Sequence, residues 1–301
     1  MRRTASIAFA AAALSAPAAA QQNFDDAQIV TERVAPGIYM LMGPGGNIGV
    51  SAGEDGVFLI DDQYAPLTER VLGAIRAVSP EPVRFVLNTH WHQDHTGGNE
   101  NLGGTGAVIV AQDNVRVRMS AEQMLEFGGQ TTRVPPSPAV ALPVVTFAED
   151  VTFHLNGDDI HAFHVEHAHT DGDAIVHFRG ANVVHMGDVY FNGGFPFIDT
   201  SSGGSIDGVI AAVDRALGLI DADTKVIPGH GPLATREDLA AYAEGLRTMR
   251  RLVAELVEEG HPIEHILDFR PIEAQARAWG VTDPAAEDAF VETIYRGVTA
   301  P

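Results

Sequence analysis

Apolar positions along the chain recur at two spacings. Short apolar runs at residues 37–42, 47–52 and 57–60, separated by Gly and Asp turns, predict a meander of strands. Leu67, Val71, Leu72, Ile75 and Val78 recur at helical spacing, and Ser79-Pro80 closes that helix. Strands are predicted at 84–87 and 107–111, then a helix over 113–127. Gly128-Gly129 and the proline-rich stretch from Val134 to Pro138 break the pattern and predict a long mobile loop reaching residue 143. The second half repeats the plan. Strands are predicted at 151–155, 159–166, 174–178, 182–186 and 225–227. Ile206, Val209, Ile210, Val213, Leu217 and Ile220 mark one helix. Thr235 to Asp238 reads as a capping box opening a second, with Leu239, Tyr242, Leu246, Met249, Val253 and Leu256 on its buried face.

The N-terminus follows neither spacing. Met1-Arg2-Arg3 precedes an apolar stretch too short to span a bilayer, then Pro17 and Ala18-Ala19-Ala20. That order predicts a cleavable export signal over residues 1–20, cut before Gln21. No later stretch is long and apolar enough for an anchor, so the expected mature protein is periplasmic or secreted. Residues 21–301 are expected to form a single domain with a C-terminal helical extension.

Composition narrows the chemistry. The 301 residues include 19 Lys and Arg against 40 Asp and Glu, a formal charge of −21. Loss of Arg2 and Arg3 with the signal takes this to −23. Such a surface has no stripe for tracking a nucleic-acid backbone, which leaves a small molecule as the expected partner. The absence of cysteine excludes disulfides, thiolate metal sites, iron–sulfur clusters and a cysteine nucleophile. Imidazole and carboxylate remain, and the chain carries 13 histidines.

The densest group of them is Asn88-Thr89-His90-Trp91-His92-Gln93-Asp94-His95-Thr96-Gly97-Gly98-Asn99, directly after a predicted strand. In an extended segment His90 and His92 point the same way, and a turn after His92 aims Asp94 and His95 at a neighbouring position. Neutral imidazoles and a carboxylate suit zinc and other first-row divalent ions. Further candidate ligands stand beside later strands: His169, with His167 two residues before it, Asp188 in Met186-Gly187-Asp188, and His230 in Pro228-Gly229-His230-Gly231.

This ordered set resembles the metallo-β-lactamase superfamily, whose His-x-His-x-Asp-His signature is matched by His90, His92, Asp94 and His95. Leu59-Ile60-Asp61 is similar to the family's early strand-end aspartate. The resemblance covers roughly residues 30–235 and implies an α/β fold, a four-layer αβ/βα sandwich with two mixed β-sheets. It implies two Zn2+ ions, with other first-row divalent metals as alternatives. His90, His92 and His169 would hold the first, Asp94, His95 and His230 the second, and Asp188 would bridge them. Asp61 would fix the metal loop from behind, and Asp94 would also be catalytic, orienting a metal-bridging hydroxide.

The implied activity is hydrolysis of a small ester, lactone, thioester or amide by an exported di-zinc enzyme. Asp188 stands where one β-lactamase subclass has its cysteine, and Phe191 where that subclass often has a drug-gripping lysine. A β-lactamase proper stays open on the strength of export. A non-catalytic metal-dependent binding protein and a mononuclear iron oxygenase of the same fold stay open as well. The segments 128–143 and 192–205 are expected to border the pocket. Phe191, Phe195, Pro196 and Phe197 would make the second of these apolar.

Overall fold

The computed structural model describes residues 24–127 and 130–299; the stretch read as an export signal lies outside them. The first half builds a seven-stranded sheet in the order β1-β2-β3-β4-β5-β6-β9. Its strands are β1 (Val30–Ala35), β2 (Ile38–Met42), β3 (Ile48–Gly53), β4 (Gly56–Ile60), β5 (Val83–Asn88), β6 (Val108–Gln112) and β9 (Val145–Phe147). A separate hairpin of β7 (Gln123–Phe127) and β8 (Gln130–Val134) precedes β9. The first four strands form an antiparallel meander, and β4, β5, β6 and β9 run parallel. The parallel pairs need crossovers, which α1 (Thr68–Arg76), α2 (Gln93–Thr96), α3 (Asn99–Gly104) and α4 (Asp113–Met119) supply.

The second half builds a six-stranded sheet of β10 (Asp150–Leu155), β11 (Asp158–His164), β12 (Ala174–Phe178), β13 (Val183–His185), β14 (Lys225–Ile227) and β15 (Ala234–Thr235). Only its β13–β14 pair is parallel, and α5 (Ile206–Leu219) makes that crossover. The chain ends in α6 (Arg236–Glu258), α7 (Ile263–Phe269), α8 (Glu273–Ala278) and α9 (Pro284–Thr299).

Strand β4 shows how the layers arise. Val57 and Leu59 face outward onto Leu67, Val71 and Ile75 beside and on α1. Phe58 and Ile60 face inward onto Ile160, Ala162, Val176 and Phe178 of the second sheet. Side chains alternate across a strand, so one covered on both faces reads as an unbroken apolar run. The far face of the second sheet is covered by α5, α6 and residues such as Ile266, Phe290 and Ile294 of the C-terminal helices. Helix, sheet, sheet, helix is the expected αβ/βα sandwich with two mixed sheets. The capping box also forms: Thr235 Oγ1 accepts the Asp238 N–H at 3.2 Å, and Asp238 Oδ2 accepts the Thr235 N–H at 2.9 Å.

Between residues 113 and 143 the fold corrects the sequence pattern. The helix expected over 113–127 ends at Met119. Arg118 is drawn into a two-pronged ion pair with Asp171 at 2.6 and 2.7 Å, and Gln123 Nε2 folds back onto the Arg118 carbonyl at 3.0 Å. The apolar positions beyond serve the hairpin, whose Leu125 and Val134 pack with Leu142 against Trp91 and Met119. The expected loop over 128–143 therefore contains β8 and a 3-10 turn at Ala139–Ala141. A tertiary contact to Trp91 has overridden the local helical spacing.

Candidate metal centre

The site lies at the carboxyl ends of strands from both sheets, where parallel strands leave a crevice. Asp61 follows β4, the His90–His95 motif follows β5, Asp188 follows β13 and His230 follows β14. His169 stands between β11 and β12. All seven residues expected as ligands converge. Their ligand atoms form three overlapping groups: His90, His92 and His169; His90, His95 and Asp188; and Asp94, His95 and His230. Asp188 is central. Its carboxylate lies 3.8 Å from His90 Nε2, 3.0 Å from His95 Nε2, 3.7 Å from His169 Nε2 and 3.4 Å from His230 Nε2. Asp94 Oδ2 lies 3.3 Å from His230 Nε2 and 3.6 Å from His95 Nε2.

Four of these imidazoles are aimed from behind. His90 Nδ1 donates to Thr89 Oγ1 at 3.0 Å, and that hydroxyl donates to Asp61 Oδ2 at 2.8 Å. His95 Nδ1 donates to Asp61 Oδ2 at 2.7 Å. His92 Nε2 donates to Asp199 Oδ2 at 3.0 Å, and His169 Nδ1 to the Phe197 carbonyl at 2.7 Å. Each ring so held turns its other nitrogen inward, the usual arrangement behind a metal-ligating histidine. His90 Nε2 is buried there without a hydrogen-bond partner. His92 Nδ1 and His169 Nε2 face each other at 2.9 Å, which two lone pairs tolerate only with a proton or cation between them. The donor set fits divalent metal ions.

The electrostatics agree. Burial, with repulsion from His95 and His169, holds the His90 imidazole well below its ordinary value, and burial takes His169 down to about 4. Both are neutral, as ligands must be. Burial also opposes charge on His95 and Asp188, but their mutual attraction wins: Asp188 is held well below the carboxylate range and His95 well above that of imidazole. His230 is pushed up to about 9 against its own burial, chiefly by Asp188. The cluster thus recruits positive charge, as protons when no metal is bound.

Close backbone approach completes the site. Gly46 passes so near the His95 ring that a Cβ would overlap it, and a Cβ on Gly229 would overlap the Asp188 carboxylate. Asp61 adopts φ 63, a left-handed conformation that Asp tolerates better than bulkier residues. The strain is offset by three buried bonds, from His95 Nδ1, Thr89 Oγ1 and the Thr89 N–H, the last at 2.7 Å.

The segment 192–205 borders the centre as expected, but the phenylalanines of and beside it divide. Phe191 stacks on His230 at 4.8 Å, and Phe197 lies 5.7 Å from His92 and 5.6 Å from His169. Phe195 instead stacks on Phe290 of α9 at 4.5 Å. His167 takes no part in the cluster; its Nδ1 ties the chain to the Gly203 carbonyl at 3.0 Å. Sequence reasoning missed Asp199. This acid is buried after an apolar Phe195-Pro196-Phe197-Ile198 run, and that setting was the available signal. It also accepts from Ser202 N at 3.1 Å and from the hydroxyls of Ser201 and Ser202. Asp199→Ala is expected to weaken metal binding about 10–100-fold, measured by chelator competition. Asp199→Asn should recover part of that loss.

A second expectation concerns His185, buried behind the site. Its Nε2 donates to the Asn47 carbonyl at 3.1 Å while its Nδ1 accepts the Gly187 N–H at 3.1 Å, an arrangement that only the neutral ring can make. Burial takes its pKa from 6.5 down to about 4. The unfolded chain therefore binds this proton first as pH falls. The stability that the neutral ring contributes is full above pH 6.5 and is lost towards pH 4, by as much as ~3 kcal/mol. Denaturant titrations at pH 7 and pH 5 should show the loss, and His185→Gln should shrink it.

Comparison with known proteins adds ancestry. The hydroxyacylglutathione hydrolase of Polaromonas sp. is 26% identical over 166 residues, 55% of either protein, so the chain matches about half the length of that curated relative. A metallo-beta-lactamase from Pontibacter korlensis superposes with a TM-score of 0.59 at 19% identity, covering 73% of this chain and 99% of that one. A sec-alkylsulfatase from Pseudomonas sp. superposes with a TM-score of 0.65 at 17% identity, covering 91% of this chain and 51% of that one. At such identities the structures speak for a shared fold. The profile of the metallo-beta-lactamase superfamily matches residues 42–239, well over half of the chain and inclusive of every residue in the cluster. The chain belongs to the metallo-β-lactamase superfamily.

Proposed function

We propose that the chain is an exported metal-dependent hydrolase that holds two zinc ions and cleaves a small ester, thioester, lactone or amide. The observation that carries this reading is the inward-facing donor set, with His90, His92, His95 and His169 each fixed by a hydrogen bond on the opposite nitrogen. His90, His92 and His169 would hold one ion and Asp94, His95 and His230 the other, with Asp188 between them. Bound divalent ions supply Lewis acidity for a substrate carbonyl and lower the pKa of water from 15.7 towards about 7.

The protein's own contribution is position and charge. Asp188 is nearly sealed from solvent, with a side-chain exposure of 4%, and serves as the fixed negative centre. Asp94 and His230 stand at the mouth, 22% and 31% exposed. Asp94 stays ionised there, against its burial, through His95 and His230, so it can accept a hydrogen bond from an attacking water. Phe197, whose ring lies 5.7 Å from that of His92 and 5.6 Å from that of His169, would limit water on that side of the centre. The match to a hydroxyacylglutathione hydrolase supports the thioester and ester end of the substrate range.

The test is a hydrolase substrate panel run on the purified mature protein before and after chelation, with N-terminal sequencing of the exported form. Turnover that disappears with chelator, returns with zinc, and belongs to a chain beginning at Gln21 is the expected result. Turnover indifferent to chelation, or a chain retained inside the cell with Met1 intact, would contradict it.

A further inference from the structure

A cavity of about 230 Å³ opens beside the metal centre, between residues 190–194 and helices α6 and α8. Tyr190, Phe191, Tyr242 and Trp279 give it four aromatic rings, and Asp238 gives it a carboxylate; among the described residues no Lys, Arg or His lines it. Phe191 joins the cavity to the centre, since its ring stacks on His230 and the following Asn192 N–H donates to the His230 carbonyl at 2.9 Å. The rings support one another, Tyr190 against Tyr242 at 4.8 Å and Tyr242 against Trp279 at 5.2 Å.

Two polar groups are left over. Asp238 Oδ2 closes the capping box of α6, while its Oδ1 makes no hydrogen bond among the described residues. The Tyr190 hydroxyl likewise makes none, although burial and the nearby Asp238 raise its pKa. Aromatic rings with an adjacent carboxylate and no competing cation match the recognition of organic ammonium groups. The volume is below the ~300–1,000 Å³ usual for drug-sized ligands, so it suits one substituent rather than a whole substrate.

We propose that this cavity binds a small alkylammonium group, carried as the distal part of a substrate whose scissile bond lies at the metal centre. The assignment of that group to a substrate rests on the hydrolase reading above. A net-anionic tripeptide such as glutathione would need basic partners that the cavity does not offer.

The test is calorimetric titration of the full-length mature protein with choline, with its uncharged isostere 3,3-dimethylbutanol, and with the anion 3,3-dimethylbutanoate. Choline should bind about tenfold more tightly than the alcohol, and the anion should not bind measurably. Asp238→Asn and Trp279→Leu, on separate elements and checked for native circular dichroism, should each weaken choline about five- to tenfold. Equal binding of choline and the alcohol, or wild-type choline affinity in both variants, would overturn the proposal. Binding is read without turnover, so the two readings fail separately. Choline binding by a protein that hydrolyses nothing would uphold the cavity and overturn the hydrolase. Hydrolysis of other esters without choline binding would do the reverse.

Discussion

Asp188→Asn is expected to lower metal-dependent hydrolysis about 10³-fold and to leave the chain holding at most one tightly bound metal ion. Asparagine keeps the size of the side chain and removes its charge. Imidazole nitrogens of His90, His95, His169 and His230 lie 3.0–3.8 Å from the carboxylate that would be lost. Without it the raised pKa values of His95 and His230 lose their chief cause, and burial pushes both rings towards neutrality. The site then attracts less positive charge of any kind, proton or metal. Elemental analysis of the variant, with kcat/KM on the best substrate and a circular dichroism check, measures the effect. Full metal content with activity within tenfold of the wild type would show that Asp188 is not the centre of the site.

Asp61→Ala is expected to destabilise the fold by about 4 kcal/mol as well as weaken metal binding, because three buried donors lose their acceptor together. They are the Thr89 N–H, the Thr89 hydroxyl and His95 Nδ1. Asp61 is fully buried, so its loss leaves three donors in the interior rather than facing bulk solvent. Alanine is also poorly suited to φ 63. Asn tolerates that backbone and keeps one acceptor oxygen, so Asp61→Asn should cost about half as much. Urea titrations of metal-free protein separate the two effects. A loss below about 1 kcal/mol for Asp61→Ala would mean that the hydrogen bonds behind the motif do not hold it in place.

The ease with which features could be read from the sequence followed distance along the chain. His90, His92, Asp94 and His95 stand within six residues, so local geometry alone proposes a metal. His169, Asp188 and His230 are single residues after or between strands, and only their order beside a family pattern singled them out. Asp199 was not recognised, because its importance lies in reaching His92 across 107 positions. The fold shows the same division. Strand β12 is legible at its observed bounds because its apolar residues are buried on both faces, with His177 alone interrupting the run. β9 and β15, of three and two residues, join their sheets through pairing with a neighbouring strand rather than through an apolar pattern of their own. The false helix extension to residue 127 arose where spacing meant for packing against Trp91 imitated a helical face.

The most direct measurement is a zinc titration of chelator-treated protein at pH 8, following metal uptake and proton release together. Before metal is added, Asp188 favours protons on His95 and His230, the latter's pKa pushed up to about 9, while burial holds His90 and His169 neutral and the neighbouring imidazoles keep Asp94 and Asp188 ionised. The account predicts uptake of two ions per chain with release of protons, both those displaced from the ligating imidazoles and one from a water ionised on the bound ions. Uptake of well under one ion, or uptake without proton release, would contradict the assignment of this cluster as a two-metal centre.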